Sequence, residues 1–127
     1  MATKRARRRR VSRKRKSTTP ESLAAGQITD FLTAHAIRYK RNQVGVARYG
    51  SHFVKYGEKG EADYTAFVPA GDRKFYILNI ECKAENGRQS YEQKLWQQLV
   101  EAMGEFYIVA RSYEPVRDWL KEKGFLK

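Results

Sequence analysis

At 127 residues the chain is long enough for one domain with an apolar core and too short for two ordinary domains. No apolar run approaches the length of a membrane span, and the basic N-terminus lacks the apolar segment of a secretion signal, so we expect no membrane partner. The single cysteine, Cys82, excludes an intrachain disulfide and favours a reduced, intracellular setting.

The formal net charge of +12 is concentrated near the N-terminus. Residues 4 to 16 hold ten of the 26 basic residues and no acid, which leaves 16 basic against 14 acidic residues elsewhere. Because such a run repels itself and buries nothing, residues 1–18 are predicted to form a disordered basic arm. Arg-rich arms bind nucleic acid by displacing counterions, and we favour this role over a localisation signal or a merely solvated terminus. The predicted contacts to nucleic acid are Arg7, Arg8, Arg9, Arg10, Arg13, Lys14, Arg15 and Lys16.

The ordered part begins at "TTPES", where Thr19 is a suitable N-cap and Pro20 suits the first helical position. Apolar residues then recur at helical spacing and predict a helix over residues 20 to 35. Glu21 projects from the same face as the buried stripe. Its spacing alone favours a role in complementing the helix dipole, and the alternative is a carboxylate directed at a site under the helix.

Five β-type runs follow the first helix. "VGVARY" and "HFVKY" flank Gly50-Ser51 and predict one hairpin. "DYTAFV" and "KFYILNIECK" are joined by the turn "PAGDR" and predict a second hairpin. "EFYIVA" is apolar at its centre, as expected of a buried parallel strand.

Two further helices complete the predicted order α-β-β-β-β-α-β-α, an antiparallel meander followed by a right-handed β-α-β crossover. Ser90 and Gln93 have the form of a capping box. The helix after them carries one apolar face, predicted to be buried, and ends near Gly104. That face consists of Trp96, Leu99, Val100 and Met103. Ser112 is predicted to cap the last helix, which turns Val116, Trp119 and Leu120 inward and ends by Gly124.

The second predicted hairpin brings charged residues together at its open end. A turn centred near residues 71 and 72 makes opposed residue numbers sum to 143 or 144, which places Asp63 beside Glu81. Glu81 and Lys83 are two residues apart in one strand and therefore point to the same face, while Cys82 points to the other. Two carboxylates and an ammonium group are thus predicted to converge.

Two interpretations of this cluster remain open at the level of geometry. Neighbouring carboxylates repel each other unless a positive charge lies between them, and a hard divalent cation binds carboxylate and carbonyl oxygens well. Asp63, Glu81 and the backbone carbonyl of Cys82 would then be the metal ligands. Lys83 would hold or help to deprotonate the attacking water, as in phosphodiester hydrolysis. The alternative is a salt-bridged cluster at a sheet edge that binds nothing.

Three nearby residues are also candidates for the site. The capping box is sufficient to explain Gln93, although the helix that it starts lies just beyond Lys83, where its N-terminus would favour phosphate. Arg41 and Arg88 are predicted to flank the site from loops and to contact the DNA backbone. Solvated surface is the default for each of these arginines taken singly.

At this point the pattern resembles a known nuclease family. Asp63 followed one strand later by Glu81-x-Lys83 resembles the PD-(D/E)XK superfamily. "GEKGEAD", "IECK", "GRQSYEQKLW" and "ARSYEPVRDWL" together resemble its VRR-NUC family, especially the small stand-alone phage and bacterial members. The resemblance covers about residues 20 to 122. Ala62 stands where the superfamily pattern has proline, a position that binds no metal.

The resemblance implies a restriction-endonuclease-like α/β fold over residues 19–127, with a mixed sheet flanked by helices, and an endonuclease that requires Mg²⁺ or Mn²⁺. Asp63 and Glu81 would be the metal carboxylates, Lys83 the catalytic lysine and Gln93 the glutamine that orders the site. Glu21 would be the acidic residue of the first helix, and hydrolysis would leave 5′-phosphate and 3′-hydroxyl ends.

Stand-alone members also resemble archaeal Holliday-junction resolvases, which act as dimers on branched DNA. One active site can cut two strands symmetrically only by pairing with a copy of itself, so we expect a homodimer acting on branched DNA. The expected setting is the cytoplasm of a bacterium or of a phage-infected host, or the nucleus if the host is eukaryotic. The rival hypothesis is a non-catalytic nucleic-acid-binding protein on a nuclease-like scaffold.

Overall fold

A computed structural model describes residues 19–127 of the chain. It contains three helices and six strands. Helix α1 spans Pro20–Ala34, α2 spans Tyr91–Ala102 and α3 spans Glu114–Glu122. The strands are β1 (Arg38–Arg41), β2 (Gly45–Tyr49), β3 (His52–Tyr56), β4 (Tyr64–Gly71), β5 (Lys74–Cys82) and β6 (Phe106–Ala110). No helix within residues 19–127 has the length and the apolar composition needed to cross a membrane.

The strands form one mixed sheet and one separate hairpin, and the fold is a mixed α/β fold. The main sheet has the order β1-β4-β5-β6, in which β6 runs parallel to β5 and the other neighbours are antiparallel. The parallel pair confirms the predicted crossover. The meander prediction was wrong, because among residues 19–127 strands β2 and β3 pair only with each other, in a two-stranded sheet.

Strand β1 is an additional element that the predicted order α-β-β-β-β-α-β-α lacked. Its sequence, Arg38-Tyr39-Lys40-Arg41, has no apolar alternation, and three of its four side chains are exposed. Charged side chains of this kind are typical of edge strands, where they discourage pairing with other chains. Tertiary pairing with β4, and not local β propensity, therefore creates this strand.

The sheet is covered by helices on both faces, and its period-2 alternation sorts the side chains between them. Helices α1 and α3 pack on one face, where the main core includes Ile28, Leu32, Leu78, Ile80 and Leu120. Helix α2 packs on the other face over a smaller cluster, which contains Ala62, Val100 and Tyr107. Glu81, which precedes Cys82 in β5, therefore faces α2, while Cys82 faces the main core.

The predicted cap of the first helix is confirmed and that of the last is wrong by one residue. Thr19 caps α1 through its hydroxyl oxygen, which accepts a hydrogen bond of 3.2 Å from the backbone N–H of Ser22. The N-cap of α3 is Tyr113 and not Ser112, although the Ser112 hydroxyl accepts a bond from the backbone N–H of Glu114 at 3.3 Å. The inward side chains predicted for α3 are buried, namely Val116, Trp119 and Leu120.

The predicted buried face of α2 was wrong in part. Val100 is buried and Trp96 packs beside it, but Leu99 and Met103 are 48% and 69% exposed. The small cluster beneath α2 contacts only a narrow stripe of the helix. The remaining apolar residues of α2 consequently face outward.

Candidate active site

The register of β4 and β5 brings Asp63 and Glu81 together, as predicted. The turn lies one position later than predicted, at Asp72 and Arg73, and a bulge between Pro69 and Gly71 shifts the register to the predicted one. Tyr64 pairs with Ile80, so the next position places Asp63 opposite Glu81. The backbone N–H of Cys82 donates a hydrogen bond of 2.7 Å to Asp63 Oδ2. Asp63 is close enough to Glu81 for its negative charge to help raise the pKa of that carboxyl.

Glu81 is an ionisable group in an almost completely enclosed position, with 2% of its surface exposed. Its Oε2 atom accepts a hydrogen bond of 2.9 Å from Gln93 Nε2 and lies 3.8 Å from Lys83 Nζ. Its Oε1 atom is buried and has no hydrogen-bond partner among residues 19–127. Burial, reinforced by Asp63, outweighs the attraction of Lys83 and raises the pKa of Glu81 to about 8.

Gln93 combines the two roles that the sequence left as alternatives. Its backbone N–H donates to Ser90 Oγ at 3.2 Å, and its side-chain Oε1 accepts from the backbone N–H of Ser90 at 2.8 Å, which completes the capping box. These bonds fix the orientation of the side-chain amide. The amide nitrogen is then directed at Glu81.

Lys83 and Cys82 leave the end of β5 on opposite faces, as predicted. The Lys83 side chain is 14% exposed and its amino group lies beside Glu81. Its backbone N–H donates to the carbonyl of Ala110 at 3.1 Å, so the β5–β6 pairing continues past the strand end and holds Lys83 in place. Burial raises the pKa of the Cys82 thiol to about 12, which keeps it protonated and excludes a nucleophilic role near neutral pH.

A cavity of about 470 Å³ opens between the first turn of α1 and the ends of β1, β4 and β5. Glu21, Arg41 and Asp63 line it together. Glu21 is close enough for its charge to contribute to the raised pKa of Glu81. Within the described chain no hydrogen bond joins Glu21 to either acid. Arg41 lies at the end of strand β1 and not in a loop, which corrects its predicted position.

Asn42 is a site residue that the sequence did not reveal. Its backbone N–H donates to the carbonyl of Asp63 at 2.8 Å, and its side-chain amide donates to the carbonyl of Ala62 and to the Thr65 hydroxyl at 3.0 and 2.8 Å. Asn42 therefore holds the chain on both sides of Asp63. Recognising strand β1 would have placed Asn42 beside Asp63, because the preceding residue, Arg41, pairs with Tyr64.

Gly60 and Arg111 also support the site from a distance in sequence. Gly60 has a φ of +88° and packs so closely on the first turn of α2 that an added Cβ would collide with the carbonyl of Glu92. The guanidinium group of Arg111 donates to the carbonyls of Glu85 and Gly87 at 3.1 and 2.8 Å. It thereby anchors the loop that carries the exposed Arg88.

The donor set suits a hard divalent cation. Residues 19–127 contain no group of three or more His, Cys, Asp or Glu side chains arranged to hold a metal ion. Mg²⁺ is commonly bound through only one or two carboxylates, with waters completing its coordination. The buried Oε1 of Glu81, which has no hydrogen-bond partner within residues 19–127, is an oxygen ligand of the kind that such a cation binds.

Comparisons with protein-family models, with curated proteins and with solved structures find no significant match for this chain. The resemblance to the VRR-NUC family accordingly stays a prediction from motif spacing. The arm residues proposed to contact nucleic acid lie outside the described residues, so their role is also still a prediction.

Proposed function

We propose that this protein is a metal-dependent endonuclease of the VRR-NUC type that hydrolyses DNA phosphodiester bonds. The observation that carries the proposal is the environment of Glu81. A carboxylate enclosed beside a second carboxylate is costly, and such perturbed groups concentrate at functional sites. Gln93 and Lys83 both hold one oxygen of Glu81, while the other oxygen has no hydrogen-bond partner in the part of the chain that the structure describes.

The chain offers oxygen ligands of the kind that Mg²⁺ and Mn²⁺ prefer. Asp63, Glu81 and the backbone carbonyl of Cys82 would hold the cation. When bound, the cation supplies charge stabilisation for the phosphate and activation of water. Gln93 fixes the position of Glu81 through a hydrogen bond of 2.9 Å, as supporting residues commonly do for metal ligands.

Lys83 is the proposed catalytic lysine because it is the cationic side chain held at Glu81, 3.8 Å from its Oε2. Its amino group orients the attacking water, and the proton that the water loses on attack passes to solvent. Attack on phosphorus breaks the bond to the 3′ oxygen, which takes a proton from solvent. The products are a 5′-phosphate and a 3′-hydroxyl.

Branched DNA is the proposed substrate, and a second copy of the chain is the proposed partner. The cavity beside Asp63 carries Arg41 on its wall, which suits a DNA phosphate, and Glu21 supplies an additional acid there.

Helix α2 exposes an apolar stripe at intervals of four residues, namely Tyr91, Leu95, Leu99 and Met103. Two α2 helices packed antiparallel across a twofold axis would place Leu95 of one copy against Leu99 of the other.

A non-catalytic nucleic-acid-binding protein is the second candidate, because the ten basic residues between positions 4 and 16 suffice for binding DNA without sequence preference. One experiment separates the candidates. Labelled four-way junction, flap, duplex and single-stranded DNA are incubated with the full chain in Mg²⁺, in Mn²⁺ and in EDTA. Glu81→Gln and Lys83→Ala are run beside wild type and beside Glu85→Gln, an exposed acid in the adjacent loop.

The endonuclease proposal predicts metal-dependent cleavage, lost in the Glu81 and Lys83 variants and retained in the Glu85 variant, with DNA binding unchanged. Cleavage of the junction in preference to duplex would support the resolvase-like substrate. Tight, salt-sensitive binding without cleavage of any substrate in either metal would refute the endonuclease proposal and favour the binding protein.

A further inference from the structure

The β2–β3 hairpin projects from the rim of the candidate site. On its N-terminal side the chain leaves Asn42, which is bonded to the carbonyl of Asp63. On its C-terminal side the chain returns to Gly60, which packs on the first turn of α2. Between these anchors β2 and β3 form a sheet of their own. At about 3.4 Å per residue, its five-residue strands extend roughly 17 Å from the base.

One face of the hairpin combines basic and apolar side chains. Arg48 pairs with Phe53 and Val46 pairs with Lys55, and directly opposed residues of an antiparallel pair share a face. All four side chains are exposed, with Phe53 at 69%. We call this set, Val46, Arg48, Phe53 and Lys55, the hairpin face.

The charge of this region is of one sign. Between Asp30 and Glu58 the sequence has five Lys or Arg residues and no acid. The Arg48 guanidinium lies 5.8 Å from the centre of the Phe53 ring, and its Nε donates to the carbonyl of Gly50 at 2.9 Å. Arg48 is thus held beside an aromatic ring that remains largely open to solvent.

We propose that the hairpin face binds unpaired nucleotides, with one base stacked on Phe53 and with Arg48 and Lys55 on the flanking phosphates. Every base has a π-face, and proteins that hold single strands combine aromatic platforms with basic grooves. A second copy of the chain is a poorer occupant, because a twofold contact would bring the basic face against itself. The inference deepens the proposed endonuclease, since a flap or a splayed arm of branched DNA presents unpaired nucleotides next to the site and continuous duplex does not.

The test measures binding by the full chain in EDTA, so cleavage is not needed. The ligands are a flap and a single strand, each with 2-aminopurine at an unpaired position, and a matched duplex. Phe53→Ala is compared with Phe53→Trp, which restores stacking. The control is Phe75→Ala, which removes an exposed aromatic residue at the opposite end of β5 from Glu81.

Stacking on Phe53 predicts that 2-aminopurine fluorescence is quenched by wild type, Phe53→Trp and Phe75→Ala but not by Phe53→Ala. Phe53→Ala should bind the single strand and the flap about 5- to 150-fold more weakly, with a smaller change on duplex. Arg48→Ala and Lys55→Ala should each reduce the slope of log affinity against log salt for the single strand by about 0.7.

Equal affinity and equal quenching for wild type and Phe53→Ala would overturn the inference, as would a change in oligomeric state without a change in DNA binding. Cleavage by wild type combined with that result would leave the endonuclease proposal intact. In the converse result, Phe53→Ala loses stacking but wild type cleaves no substrate. That result would refute the endonuclease proposal and support nucleotide binding by the hairpin face.

Discussion

Glu81→Gln replaces the enclosed carboxylate with an uncharged amide of the same shape. Comparison with wild type therefore isolates the cost to folding of the charge on Glu81. Folding raises the pKa of Glu81 from 4.5 to about 8, chiefly through burial. The folded state therefore holds the proton more tightly than the unfolded chain does. Protonated Glu81 therefore favours the folded state. This contribution to the free energy of unfolding is fully present below pH 4.5 and is lost as the pH rises through 8.

The two pKa values set the size of the effect. At about 1.4 kcal/mol per pH unit, the interval between them gives an upper limit of about 5 kcal/mol. We expect about 2 to 5 kcal/mol, because relaxation of the site and entry of water reduce the cost of a buried charge. Between pH 5 and pH 9 in EDTA, wild type should lose that much free energy of unfolding relative to Glu81→Gln.

Equilibrium urea unfolding, followed by the fluorescence of Trp96 and Trp119, measures this difference. Glu85→Gln should behave like wild type because Glu85 is exposed. Adding Mg²⁺ at pH 8 should stabilise wild type in proportion to the logarithm of its concentration and should stabilise Glu81→Gln less. Parallel pH profiles for wild type and Glu81→Gln would refute the account of Glu81 as a carboxylate held in an unfavourable environment.

Four further substitutions test other parts of the structure. Gly60→Ala should lower the free energy of unfolding by at least about 1 to 3 kcal/mol, since Gly60 has a positive φ and abuts α2. In the same urea experiment, Gly26→Ala should raise it by about 0.5 to 1 kcal/mol, because Gly26 lies within α1 with open space around it. Gln93→Glu keeps the capping acceptor but replaces the amide donor to Glu81 with a second negative charge, so junction cleavage should fall about 10- to 100-fold. Undiminished cleavage would show that this hydrogen bond is dispensable. Leu99→Lys should convert a dimer to a monomer in light scattering, and an unchanged mass would remove α2 from the proposed interface.

The convergence of charges at the end of β5 was predictable because β-structure obeys simple counting rules. One turn position fixes the register of a hairpin, which was sufficient to place Asp63 opposite Glu81. The period of two then put Lys83 on the same face. The capping box at Ser90 is likewise a local signal, and both of its bonds are present.

The features that were missed depend on distant parts of the chain. Strand β1 has a charged sequence and exists because β4 accepts it at the sheet edge. The bonds from Asn42 and Arg111 are made largely to backbone carbonyls, which every residue type possesses. Leu99 is exposed because α2 covers only a small area of the sheet. The spacing of apolar residues in the sequence does not predict how large that area is.

Gln93 both caps α2 and holds Glu81, and it therefore links local unfolding of the helix to the state of the candidate site. Fraying of the first turn of α2 would break the bond from the Ser90 N–H to Gln93 and, with it, release the amide that holds Glu81. The candidate site is then ordered only while this helical turn is formed. Hydrogen exchange at the Ser90 amide would consequently report how often the site is assembled, without any substrate present.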